Sequence, residues 1–239
     1  MFDSIFQRHE RVALSLSGGK DSLACLYLLK PWWNVLRVYW CNSGDAFPEV
    51  VAFMKGVREQ VPHFTEVIGR QPEMHAQDGW PSDVVPVLHM NESSTIFGPT
   101  KFKVQPRVSC CFRSVMWPTY QQMVADRITC CIRGRRREEE DRTAIVSGQV
   151  TIDGMEIVFP IFDWSSSDVY AYLRKQGVAM PSFYTWGDTS VDCMHCTAYW
   201  GGRHADYLAA EHPEAFTEYK RRLDLIKQAI SDQMQKCEV

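Results

Sequence analysis

Long apolar runs are missing from this chain. Nowhere do its 239 residues approach the roughly 18 to 20 consecutive apolar positions that a membrane-spanning helix needs, so no membrane association is expected. Excess basic charge is missing as well. With 26 Lys and Arg against 29 Asp and Glu the formal net charge is −3, so there is no global polycation for nucleic acid, and any such contact would come from a local patch. The opening Met1-Phe2-Asp3-Ser4 lacks the basic segment followed by an apolar one that marks an export signal, and a cytoplasmic location is expected. Nine cysteines in a reducing compartment point away from disulfides and toward metal or redox chemistry. A hydrophobic content of 45% supplies a globular core without such staples.

The stretch that organises the chain runs from Val12 to Leu29: an apolar run, the turn Ser17-Gly18-Gly19-Lys20-Asp21-Ser22, and an apolar helix. Two glycines let the backbone turn sharply with positive φ, and the helix start leaves N–H groups unpaired beside the positive end of the helix dipole. An anion is the natural ligand of such a turn. Lys20 brings a mobile cation, Ser17 and Ser22 bring hydroxyls, and Asp21 orients donors or caps the first turn. The loop is shorter than a Walker loop. It resembles the PP-loop of the adenine nucleotide alpha-hydrolase-like superfamily, which includes ATP pyrophosphatases, tRNA thiolation enzymes and sulfonucleotide reductases. The resemblance implies a nucleotide held by Ser15, Ser17, Gly18, Gly19, Asp21 and Ser22, with Lys20 in a catalytic role.

An α/β alternation follows. Residues 35–40 and 64–68 read as strands, and residues 47–60 as a helix opening at Pro48. Parallel strands with helical crossovers place ligands at their carboxyl ends, where Gly18-Gly19 and Ser43-Gly44 fall. Residues 70–108 carry five prolines and little periodicity, and read as a long irregular excursion. Its basic end, Lys101, Lys103, Arg107 and Arg113, suits either an anionic ligand or a solvated face. Six arginines lie between residues 127 and 142, a run that by composition alone reads as a self-paired surface. Ser165 reads as an amino-cap with Asp168 at the third helical position, ahead of an apolar face ended by Gly177. A helical region over residues 203–235 carries an apolar docking stripe that includes Tyr207, Leu208, Tyr219 and Leu223.

Four segments sharpen the resemblance to the PAPS/APS reductase family. Asn42-Ser43-Gly44-Asp45-Ala46-Phe47-Pro48-Glu49 is similar to its Asp-Thr-Gly-x-x-Phe-Pro-Glu, which implies adenosine beside Ser43 and Gly44. Gly134, Arg136, Glu139 and Arg142 approximate its Gly-x-Arg-x-x-Glu and following arginine, which makes Arg136 and Arg142 anion contacts. The stretch from Phe159 through Tyr172 and Leu173 is similar to its Pro-Leu-x-Asp-Trp-Thr signature, and the likeness continues through Pro181-Ser182-Phe183-Tyr184 toward Cys193. Cys110-Cys111 and Cys193-Met194-His195-Cys196 resemble the cysteine pairs of its iron–sulfur branch. A lone C-x-x-C serves a redox pair or half a zinc site, but these four thiolates together suffice for a 4Fe-4S cluster. Cys130-Cys131, Cys25 and Cys41 read as core, and His195 as a neighbour of the cluster.

The expected fold is thus a Rossmann-like parallel α/β domain over residues 1–200 with a helical extension over residues 201–239. The resemblance implies reduction of adenylyl sulfate or PAPS: a thiolate attacks sulfur, and a thioredoxin-like partner then releases sulfite. The family's terminal Glu-Cys-Gly-x-His has its counterpart here in Lys236-Cys237-Glu238, which makes Cys237, on a flexible tail, the candidate nucleophile. An alternative from the same superfamily is an ATP-consuming transferase, with magnesium, that adenylates a nucleobase of DNA or tRNA. A nucleotide-sensing module without turnover, and a homo-oligomer, are also compatible with the sequence.

Overall fold

The computed structural model describes residues 2–142, 145–187, 193–200 and 202–237, with backbone alone at residues 140–142, 202 and 237. In chain order the elements begin with α1 (Phe2–Arg8), β1 (Val12–Ser15), α2 (Lys20–Leu28), β2 (Arg37–Asn42), α3 (Pro48–Gln60) and β3 (Phe64–Ile68). Next come α4 (Gln71–Asp78), β4 (Trp80–Ser82), α5 (Asn91–Phe97), β5 (Val104–Pro106), α6 (Arg107–Cys111) and α7 (Trp117–Ala125). The chain continues through β6 (Cys130–Arg133), β7 (Gln149–Val150), β8 (Glu156–Val158), α8 (Ser166–Lys175), α9 (Gly202–Glu211) and α10 (Pro213–Cys237).

Two compact units are formed from this order. The first comprises Met1–Asn42, Pro48–Ile68 and Pro118–Ser190; the second comprises Ser43–Phe47, Gly69–Trp117 and Val191–Val239. In the first, the described strands make one sheet of order β3-β2-β1-β6-β8-β7, parallel except at the β7–β8 edge. Central β1 pairs Ala13 with Arg37 on one side and with Cys131 on the other, so it is enclosed by parallel neighbours and its Val12, Ala13 and Leu14 are buried. Ala13, Tyr39, Cys131, Met155, Ile157 and Phe159 share one core cluster. The expected α/β fold is therefore present, with the second strand ending at Asn42.

The capping box at α8 is complete: the Ser165 hydroxyl accepts from the Asp168 N–H at 3.2 Å, and the Asp168 carboxylate accepts from the Ser165 N–H at 2.8 Å. Gly177, at φ +69°, follows that helix where a left-handed residue is needed.

The second unit corrects the expectation of an irregular excursion. Residues 71–106 contain α4, α5 and the parallel pair β4–β5, with Pro81 and Pro106 inside its short strands. Prolines hid this pairing from a reading of periodicity, because a two-stranded sheet of three-residue strands has too few residues to show one. Side chains supply what the short ladder does not: the buried Gln105 amide donates to Met74 O at 3.1 Å and Gly79 O at 2.6 Å. The basic end is a paired face, with Lys103 on Asn91, Arg107 on Asp83 and Arg113 on Asp78. The stripe on α9 and α10 is core, with Tyr207, Leu208, Tyr219 and Leu223 buried.

Candidate active site

In the first unit, β1 delivers the chain to the turn at residues 17–22 with Ser15 half-buried at its end. Gly18 sits at φ +86°, where a Cβ would also lie 2.7 Å from the Met54 methyl. Gly19 is extended at φ −72° and caps α2, so only one of the two glycines uses positive φ. The serines brace the turn. Ser22 Oγ donates to Gly19 O at 2.9 Å and accepts from Ser17 N at 3.2 Å, and the two hydroxyls lie 3.1 Å apart. The Lys20 N–H, one of the donors expected to meet an anion, donates to the Tyr184 hydroxyl at 2.5 Å. Tyr184 belongs to the motif-like 181–184 stretch, but sequence alone gave it no role, since nothing local links it to residue 20.

Charge converges on Asp21. Lys20 Nζ approaches Asp21 Oδ2 at 3.2 Å and Arg136 Nε approaches Oδ1 at 2.7 Å, both cations being about 5% exposed. Arg136 also bonds Glu138, and the Tyr170 ring centre lies 5.9 Å from Lys20 Nζ. Burial opposes the Arg136 charge, but Asp21 and Glu138 outweigh it and raise the guanidinium's pKa. A phosphate or sulfate entering here competes with these carboxylates for two desolvated cations. Gly134 permits the arrangement, because a Cβ there would lie 2.4 Å from the Asp21 carbonyl carbon. The arginine run is accordingly divided: Arg136 points inward, while Arg135 covers the Phe159 ring and Arg137 the Phe162 ring. The Arg142 side chain lies outside the described residues.

All four candidate cluster thiols belong to the second unit. Cys110 is buried, 3.8 Å from the Ser114 hydroxyl, and burial pushes its thiol up to about 11; Cys111 beside it is exposed. The helix bulges into a π turn over Phe112–Met116 immediately afterwards, a distortion common at functional sites. Cys196 is buried and Cys193 half-buried, and the Cys196 N–H closes their turn on Cys193 O at 3.3 Å. Among the described residues no three His, Cys, Asp or Glu side chains converge tightly enough for a single metal ion. The donor set itself, four soft thiols on two short segments of one unit, fits an iron–sulfur cluster in kind and number.

Other cysteines sort differently. Cys130 and Cys131 lie buried in β6, with burial pushing their thiols up to about 12 and about 11. Cys25 is fully buried and also raised, and Cys41 is half-buried, packed against the core cluster of the sheet. Cys237 ends the 25-residue α10, so the tail before it is helical instead of free; its side chain lies outside the described residues. His195 pairs with Asp45 at 2.7 Å, a contact across 150 positions that no local pattern announces. Ser43 is buried in the same unit, and Gly44, at φ +86°, would bring a Cβ within 3.0 Å of Pro72.

A family model described as phosphoadenosine phosphosulfate reductase domain matches residues 11–199. Adenosine 5'-phosphosulfate reductase of Bacillus mycoides (strain KBAB4) is 21% identical over 191 residues, covering 79% of this chain and 74% of the relative. The Burkholderia cepacia enzyme of the same name is 23% identical over 197 residues, 81% and 72% of the two chains. Among solved structures, phosphoadenylyl-sulfate reductase from Candida auris, a phosphate complex, shares the fold with a TM-score of 0.55 at 15% identity, over 77% of this chain and 82% of that one. With a match spanning most of its length, and with the turn at residues 17–22, Cys110-Cys111 and the C-x-x-C all inside that span, the chain belongs to the phosphoadenosine phosphosulfate reductase domain family.

Proposed function

We propose that this chain is a sulfonucleotide reductase that takes adenylyl sulfate or its 3′-phosphorylated form. The observation that carries the reading is the convergence of Lys20 and Arg136 on Asp21 at the start of α2, two buried cations at the turn where the family resemblance puts phosphate. Ser15, Ser17, Gly18, Gly19, Asp21 and Ser22 hold the phosphate end of the nucleotide in this reading, Ser43 and Gly44 its adenosine, and Lys20, Arg136 and Arg142 the sulfate. Cys110, Cys111, Cys193 and Cys196 would hold a 4Fe-4S cluster, which would supply a compact charged group with soft sulfur ligands.

Chemically, the Cys237 thiolate attacks sulfur, the bond from sulfur to the phosphate-bridging oxygen breaks, and the nucleotide leaves with that electron pair. A thioredoxin-like dithiol then attacks the cysteine sulfur of the S-sulfo adduct, and sulfite leaves; the resulting mixed disulfide is resolved by the partner's second thiol. Lys20 and Arg136 stabilise the charge that develops on the leaving phosphate. Calorimetry of anaerobically prepared protein with adenylyl sulfate, PAPS and ATP, followed by sulfite assay with a dithiol reductant, tests the reading. Expected are binding of a sulfonucleotide, sulfite release abolished by Cys237→Ser, and brown protein with about four irons per chain. Binding of ATP alone with pyrophosphate release overturns the substrate assignment, and colourless protein with stoichiometric zinc overturns the cluster.

A further inference from the structure

Asp45 joins two segments that lie 150 positions apart in the chain. Its carboxylate Oδ2 accepts from the His195 backbone N–H at 2.8 Å and from the Gln71 amide at 2.9 Å, while Oδ1 meets His195 Nδ1 at 2.7 Å. Its backbone carbonyl accepts from the Met194 N–H at 2.8 Å, and Ala46 bridges Cys193 in antiparallel fashion. On its other side the Asp45 N–H donates to Ser43 Oγ at 3.2 Å, and the Gln71 N–H donates to Ser43 O at 3.1 Å. One residue therefore ties the Ser43–Phe47 loop to both middle residues of the C-x-x-C turn.

The bonds are of the strong kind. A mostly buried carboxylate receiving three N–H donors makes charge-assisted hydrogen bonds, and leaving it short of a donor costs more than a neutral loss. Burial pushes the Asp45 carboxyl up, but the His195 bonds and charge and the Gln71 bond outweigh this and hold it below its ordinary range. A pocket of about 330 Å³, lined by Asp45, Gln71, His75, Trp80, His195 and Arg222, opens on the same junction. The Asp45–His195 contact therefore borders open space, while Ser43, Phe47 and Cys196 on either side of it are buried.

We propose that Asp45 is a positioning residue that couples nucleotide binding at Ser43 and Gly44 to the conformation of the C-x-x-C turn. This rests on the reading of Ser43 and Gly44 as nucleotide contacts. A ligand that orders the loop orders Asp45, and through three acceptor atoms Asp45 orders residues 193–196, so cysteine geometry is set when substrate is in place. Because coupling is reciprocal, whatever fixes the cysteines tightens nucleotide binding by the same factor.

The test is amide hydrogen exchange of residues 193–197 in the full chain as purified, with and without saturating adenylyl sulfate, alongside calorimetric binding. Adenylyl sulfate should slow exchange in this segment about tenfold in the parent protein, within the usual range of coupling. It should give less than about a twofold change in Asp45→Ala, which loses the carboxylate but not the loop backbone. Should Asp45→Ala fail to fold, His195→Asn and His195→Ala carry the same comparison: the asparagine amide replaces the ring donor and should retain the coupling, and alanine should weaken it. Equal slowing in parent and Asp45→Ala, with binding intact in both, overturns the coupling and leaves the functional reading standing. Absence of sulfonucleotide binding to the parent overturns the functional reading and the coupling with it.

Discussion

The two compact units concentrate their chemistry in opposite ways. In the first, full charges gather and pair: Lys20 and Arg136, both buried, meet Asp21 at the head of a helix on a parallel sheet, and exposed Glu138 adds a second partner to Arg136. In the second, buried imidazoles and a buried thiol are neutral at pH 7 beside the charged Asp45. His75 and His204 are both held down to about 4, and Cys110 is held up to about 11. The first arrangement concentrates buried ion pairs. The second is held in register by side-chain hydrogen bonds, because its ladder is only three residues long.

Removing a charge should hurt the first unit most. Arg136→Ala takes from the mostly buried Asp21 carboxylate one of the two buried cations that meet it, leaving Lys20, and should cost about 3 kcal/mol in urea unfolding. Arg137→Ala, next door but exposed and paired with exposed Asp163, should cost less than about 0.5 kcal/mol. Similar losses from both would erase the distinction between the buried network and the surface run.

Acid should weaken the second unit instead. For His75, burial comes first, the charges of Arg222 and His195 add to it, and Asp45 opposes. For His204, burial again comes first, the Met194 backbone bond and Asp45 oppose, and His195 adds. Both imidazoles titrate near 6.5 when unfolded and near 4 when folded, so between these values the unfolded chain binds more protons. Stability from these groups is full above pH 6.5, falls as pH drops toward 4, and is flat below that; each contributes at most about 3 kcal/mol. Urea midpoints measured from pH 7 to pH 4 should show the fall, and His75→Leu should reduce its slope. An unchanged slope in that variant would remove His75 from the account.

A smaller loss should appear in binding. Lys20→Ala should weaken sulfonucleotide affinity by about 1.5 to 3 kcal/mol, the scale of one charge-assisted bond, in protein that still folds. Calorimetry decides this, and unchanged affinity takes Lys20 out of the ligand's reach.

How legible each unit was in the sequence follows the same division. Val12-Ala13-Leu14 before Gly18-Gly19, and Ser165 three residues before Asp168, are local patterns, and strand, turn and cap stand where they indicate. Lys20 and Arg136 were both singled out, but their meeting on Asp21 depends on β6 lying beside β1, which only the closed sheet provides. In the second unit the decisive contacts join residue 45 to 195 and residue 105 to 74 and 79, across distances at which no period exists. Tyr184 was missed for that reason too: a hydroxyl 164 positions from Lys20 leaves no trace in local spacing.

The smallest expected effect separates the two adjacent-cysteine pairs, which look alike as sequence and lie in different units. Cys131 is 3% exposed in β6, paired in register with Ala13 and Ile157 and packed in the core cluster with Tyr39 and Met155. Its thiol approaches the carbonyl of Ile132 at 3.9 Å, and burial, outweighing the Arg133 charge and a backbone bond from Ser15, keeps it protonated, so it packs as a small apolar group. Cys131→Ala removes one sulfur atom from a packed site and should lower stability by about 1 kcal/mol, since the void is no larger than the atom removed. Iron content per chain should stay at the parent value, measured by metal analysis of anaerobic protein. Cys111, exposed at the end of α6, has little packing to lose, so Cys111→Ala should leave the urea midpoint nearly unchanged while lowering iron. Iron lost from Cys131→Ala, or retained in Cys111→Ala, would move the cluster ligands from the second unit to the first.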